Sequence, residues 1–178
     1  RLTIPDERNA DMEELINYLV KEELKPALGC TEPISVAFTA SVAGKHLAEA
    51  GSQLEAIEVE LDKNVFKNGK DVSIPSPIPL RGNLYAAPLG ALLARPEKGL
   101  QILQDLSPTL CESAKSFVER GKVKLSLNPQ AKELFVKVTL RGTNRQTVTA
   151  ISQQRHDRLV FISRNDEVIL DTRGTPQT

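Results

Sequence analysis

A chain of 178 residues, 40% hydrophobic and 26% charged, can build one domain with a sizeable core or two small ones sharing an interface. Its 23 Lys and Arg balance 23 Asp and Glu, and it has no Trp, two Tyr and five Phe. This argues against a broad polyanion-binding face or a base-stacking platform, and no nucleic-acid partner is expected.

No apolar run has the length needed to span a bilayer, so no membrane partner is expected. The opening "RLTIPDERNADMEEL" is polar and acidic, unlike a signal peptide, and the first residue, Arg1, suggests a trimmed start. Two cysteines, Cys30 and Cys111, make no disulfide framework, which fits a reducing, cytoplasmic setting.

In chain order, Met12, Leu15, Ile16, Leu19 and Val20 recur at helical spacing and predict an amphipathic helix over 11–24, ended by Pro26. A second helix is expected to start at Thr31, a favoured N-cap, with Glu32 in the first turn and Pro33 tolerated there. Ile34, Ala37, Phe38, Ala40, Ala43 and Leu47 give it a small apolar face, and Gly51 marks its stop. Ile57, Val59 and Leu61 alternate with Glu58, Glu60 and Asp62, the pattern of a half-buried strand. Asn68-Gly69 signals a hairpin turn, with Val72 and Ile74 returning beyond it, and the proline-rich 75–82 reads as a loop.

"NLYAAPLGALLA" reads as a small-residue helix kinked at Pro88, and "EKGLQILQDL" as a further helix. "SPTLCESAKSFVERG" is another, capped by Ser107, with Pro108 first and Gly121 at its exit. The last third alternates with period two and predicts an antiparallel meander with one wet face. The expected class is α+β, with N-terminal helices and a helical block packed on a mainly antiparallel sheet. Residues 1–172 are expected to form a single domain, the N-terminal one of a longer protein, and 173–178 a tail or linker.

Cys30 is the residue of most chemical interest. Just outside a helix start, amides and dipole favour a thiolate, which can act as base, nucleophile or soft metal ligand. As a structural residue, the same cysteine is a small buried hydrophobe. Glu32 either complements the helix dipole or serves as a second acid/base group. Asn64, Lys67, Asn68 and Gly69 are either a solvated turn or a site for a substrate carboxylate. His156, between strands, is a surface or hydrogen-bonded residue on the simplest reading; His46 looks exposed, and Cys111, mid-helix, looks like core. No CxxC pair, HExxH, Walker loop, GxGxxG or GxSxG elbow occurs, so zinc, ATP, dinucleotide and serine-hydrolase readings lack a motif.

The stretch "VKEELKPALGCTEPISVAF", with "KPALGCTEP" intact at Lys25 to Pro33, closely resembles the opening of the L-cysteine desulfidase family, relatives of the iron–sulfur L-serine dehydratase alpha subunit. "NVFKNG", Pro75, "AAPLGAL" and "SAKSFVERGKV" follow in the family's order, and the segment around His156 is similar more weakly. The resemblance runs over nearly the whole chain but only the first part of a typical member. It implies a cytoplasmic lyase eliminating HS⁻ or water from L-cysteine or L-serine to give pyruvate and ammonia. It also implies a [4Fe–4S] cluster whose cysteine ligands lie in the C-terminal half, with none in this chain. Cys30 would then be the active-site cysteine, Glu32 a second catalytic group, and Thr31, Asn64, Lys67, Asn68, Gly69 and His156 substrate-binding. The partner implied is a C-terminal half or second subunit of the same enzyme, with a homo-oligomer as a further expectation. Alone, the chain would neither hold the cluster nor turn over.

Two departures favour a different reading, a non-catalytic binding or interaction module descended from the same family. "IPSPIP" stands where the family has a glycine-rich turn, and Arg155, Asp157 and Arg158 surround His156. A plain thiol redox sensor would need Cys30 exposed beside a resolving partner, for which a mid-helix Cys111 is poorly suited.

Overall fold

A computed structural model of the protein describes residues 31–174. The helix expected over 11–24 and Cys30 lie outside the described residues. The fold is α+β. Helices α1 (Thr31–Glu49), α2 (Lys63–Asn68), α3 (Asn83–Leu93) and α4 (Pro108–Glu119) accompany strands β1 (Leu54–Leu61), β2 (Ser73–Ile74), β3 (Leu80–Arg81), β4 (Val123–Leu127), β5 (Phe135–Gly142), β6 (Thr147–Gln153), β7 (Leu159–Arg164) and β8 (Glu167–Asp171). None of the described helices is long and apolar enough to cross a membrane.

The main sheet has the order β4-β1-β5-β6-β7-β8. Of the meander expected from "KVKLSLN" to "EVILDT", β5 to β8 are antiparallel throughout, but its first strand, β4, is not part of it; β1 joins antiparallel to β5. Strand β4 instead lies on the far side of β1 and parallel to it. Alternation is strict where it matters. Ile57, Val59 and Leu61, then Val136, Val138 and Leu140, then Val148 and Ala150 are buried, while Glu58, Arg141 and Lys124 are exposed. One face is thus core and the other wet.

Helix α1 lies on the core face against β5, β6 and β7, and α3 packs on α1, α4, β1 and β4. Every residue of α1 from Pro33 to Gly44 is buried, so it is enclosed all round rather than on the one face that its spacing suggested. Small residues permit this. A Cβ at Gly44 would run into the carbonyl oxygen of Ala91, and one at Gly90 into that of Ala37. The helix axes therefore cross at backbone contact distance. The polar groups that α1 carries into the core are partly matched: Thr39 Oγ1 donates to Ser35 O at 2.8 Å and lies 2.8 Å from Ser152 Oγ on β6, which donates in turn.

Three expectations change. Asn68-Gly69 is not a hairpin turn: 63–68 is helical, Asp62 caps it, and Gly69 is its C-cap. Ser73–Ile74 pairs with Leu80–Arg81, so the proline-rich stretch is closed into a two-stranded ribbon. "EKGLQILQDL" yields only a 3₁₀ turn, Pro96–Gln101, broken at Gly99 (φ 56). Its buried Ile102, Leu103 and Leu106 pack without a regular helix. Elsewhere the expected signals hold: Ser107 caps α4, Pro108 opens it, and Pro88 sits inside α3.

The α1–α3 crossing makes a direct prediction. Gly90→Ala should lower unfolding stability by about 2–3 kcal/mol, because overpacking against backbone cannot be relieved by a rotamer change. Chemical denaturation measures it, and an unchanged midpoint would mean that the helices separate without cost.

Candidate functional site

The sheet register brings one set of ends together. Leu61 at the C-terminal end of β1 pairs with Leu127 at the end of β4 and with Val136 at the start of β5. Phe135 in turn pairs with Gln153 at the end of β6. The turn carrying His156 joins β6 to β7 at this same end, and α2 starts here, immediately after β1. Helix α1 approaches from the core side. Its Thr39 meets Ser152 near this end, whereas its Leu47 lies by Gly142 at the opposite one. The eight residues from Thr39 back to Thr31 carry the helix start roughly 12 Å further in that direction.

Thr31, Glu32, Asn64, Lys67, Asn68, Gly69 and His156 are therefore gathered at one end of the sheet. Glu32 is half-buried, and its Oε2 is shielded from solvent without a hydrogen-bond partner among the described residues. Lys67 and Asn68 are exposed on the last turn of α2. His156 is half-buried in its turn, beside the exposed ion pair of Arg155 and Asp157. His46 is remote, on the last turn of α1, 4.0 Å from Glu49 and half-buried rather than exposed.

Three residues that sequence reasoning passed over hold this end together. Asp62 is 1% exposed. Its Oδ1 accepts from the N–H groups of Asn64 (2.8 Å) and Val65 (3.1 Å), and its Oδ2 accepts from Phe135 N–H at 2.6 Å. One carboxylate thus caps α2 and pins it to the start of β5. Asn83, fully buried at the start of α3, donates from Nδ2 to Val65 O at 2.9 Å and from its backbone to Gly69 O at 2.9 Å. The Asn83 amide lies where a Cβ on Gly69 would be, and its Oδ1 has no hydrogen-bond partner among the described residues. Glu133 Oε2 accepts from Asn64 Nδ2 at 2.9 Å. The aspartate before "KNVFKN" was the available signal for α2, an N-cap overshadowed by Asn-Gly.

The cluster that the resemblance implies was tested against the donors present. All-cysteine ligation takes several thiolates. The chain has Cys30 and Cys111, and among the described residues no group of three or more His, Cys, Asp or Glu could hold a metal ion. Cys111 is buried as expected, and burial first, then the Glu112 charge, raises its thiol pKa. The described residues do not fit the cluster.

No family model matches the chain, and no solved structure matches it significantly. It is similar to several proteins named UPF0597. One from Geobacter sulfurreducens is 37% identical over 153 residues, 86% of this chain and 35% of that protein. One from Desulfatibacillum aliphaticivorans is 39% identical over 144 residues, 81% of this chain and 32% of the relative. A third, from Thermosipho africanus, is 35% identical over 162 residues, 91% and 39% respectively. The chain spans about a third of the length of the curated relatives it matches.

Two outcomes follow from this geometry. Asp62→Ala should cost about 2–4 kcal/mol, since it removes a cap and strands the Phe135 N–H; a loss below about 0.5 kcal/mol would contradict the pinning role. In a Cys30→Ser chain, Cys111 should react with a thiol reagent at pH 8 at least about 100-fold more slowly than in denaturant, because the raised pKa keeps it a neutral, enclosed thiol. Equal rates would show it to be accessible.

Proposed function

We propose that this chain is the N-terminal part of a lyase that eliminates HS⁻ or water from L-cysteine or L-serine and leaves pyruvate and ammonia. The observation that carries the reading is the gathering of the helix start at Thr31, the "NVFKNG" helix and the His156 turn at one end of the sheet. These are three separate stretches of the family resemblance, and nothing in their sequence spacing requires them to meet. The relatives' greater length supports it too, because the reading needs a further portion of protein.

In this reading the Cys30 thiolate takes the α-proton of the amino acid. The C–H electron pair becomes the Cα=Cβ double bond as the β-substituent leaves with its bonding pair. The resulting 2-aminoacrylate tautomerises to an imine, and water hydrolyses it to pyruvate and ammonia. Glu32 is the second acid/base group, and its unpartnered oxygen at the helix start supports that role. Lys67 and Asn68 flank the substrate, and Asn83 and Asp62 hold α2 in place. Ligands for a [4Fe–4S] cluster belong to the remainder of the protein, and a reducing, cytoplasmic setting belongs to the same reading.

The second reading, a non-catalytic module of the same descent, is favoured by the ribbon that closes the proline-rich 75–79 stretch, which stiffens the chain where the family has glycines.

The full-length protein, purified without oxygen and reconstituted with iron and sulfide, should release pyruvate from L-cysteine or L-serine. Cys30→Ala should lower turnover at least about 10³-fold while circular dichroism stays unchanged. Undiminished release by that variant would remove Cys30 from the chemistry. A cluster-loaded protein that makes no pyruvate from either amino acid would favour the module.

A further inference from the structure

At the same end of the sheet, a cleft of about 390 Å³ opens between the 128–135 segment and the end of β6. This volume lies in the range of small-molecule sites. Leu134 and Phe135 give it an apolar part; Gln130 and Gln153 contribute amides, and the neighbouring Lys132 and Glu133 contribute one charge of each sign. Lys132 has no hydrogen bond or ion pair among the described residues. Glu133 uses Oε2 on Asn64, which places the cleft in direct contact with α2. The backbone is braced on both sides, since Gln154 N–H donates to Leu134 O at 2.9 Å and Asp62 receives Phe135 N–H.

We propose that this cleft binds the zwitterionic head of a small α-amino acid, with Lys132 on the carboxylate and Glu133 on the ammonium group. Two adjacent opposite charges beside side-chain amides suit a ligand that carries both charges on one carbon. An anion alone would be repelled by Glu133, and a cation alone by Lys132. The choice between a lyase substrate and a separate amino acid rests on the proposed function; the binding itself does not. Glu133 also gives the ligand a route to the rest of the site, because neutralising it would change the grip on Asn64 at the first turn of α2.

The test is calorimetric titration of the full-length protein with L-alanine, which has no β-leaving group, and with propionate. L-Alanine should bind saturably. Its affinity should fall about tenfold or more in Lys132→Ala and in Glu133→Gln, the loss expected when one charge-assisted hydrogen bond is removed. Glu133→Gln keeps an acceptor for Asn64, and both residues are exposed, so folding is not at stake. Propionate, where it binds, should weaken in Lys132→Ala and tighten in Glu133→Gln, which removes the repelling charge. Competitive inhibition of pyruvate formation by L-alanine, with a raised KM in Lys132→Ala, would identify the ligand as the substrate. The same charge-dependent binding in a cluster-loaded protein that makes no pyruvate would sustain the cleft and refute the lyase. Wild-type affinity in both variants, or no saturable binding of L-alanine, L-serine or L-cysteine, would overturn the proposal.

Discussion

The backbone contact between α1 and α3 is the constraint on which the rest of the arrangement depends. With Gly44 against Ala91 and Gly90 against Ala37, α1 can sink between the sheet and α3 until it is enclosed. Larger residues there would lift α1 away and open the hydrophobic layer over β5 and β6. Enclosure has a chemical side. A helix buried on every face cannot leave hydroxyls to solvent, so Thr39 bonds within its own turn and to Ser152. Its start, where Glu32 keeps an unpartnered oxygen, is where the helix comes back toward solvent.

From that buried helix the site is reached through a short series of polar ties. Asp62 joins α2 to β5, Asn83 joins α2 to α3, and Glu133 joins α2 to the cleft. Each replaces what a short helix of six residues cannot supply from its own hydrogen bonds. The candidate residues on α2 are exposed, yet the element carrying them is fixed from beneath by a buried carboxylate and a buried amide. Exposure for ligands and rigidity of position are thereby separated: one set of side chains faces outward while another anchors the backbone.

Much of this was legible in the sequence, for physical reasons that differ by element. Strand β5 announced itself because one buried face forces strict alternation, and α4 because its cap, opening proline and apolar spacing agree. Helix α2 was hidden because Asn68-Gly69 is a strong local hairpin signal that overshadowed the Asp62 cap, and the tertiary bond from Asn83 that supports the helix has no local signature. The parallel pairing of β1 with β4 was hidden because a strand's pattern does not state its direction or neighbour. The site was legible as separate stretches but not as a place. Residues 32, 64 and 156 come to one end of the sheet only through its register, and Glu133 and Asn83 are single polar residues with no motif around them.

The bond between Thr39 and Ser152 joins residues 113 positions apart. At about 5–20 residues per second of synthesis, α1 leaves the ribosome roughly 6–23 s before its partner strand exists. Throughout that interval an apolar helix, with buried Val36, Phe38 and Val42, has no sheet to cover it. Chaperone capture during translation would act first on this helix, and the yield of native protein would be decided by how long it stays soluble while β6 is still being made.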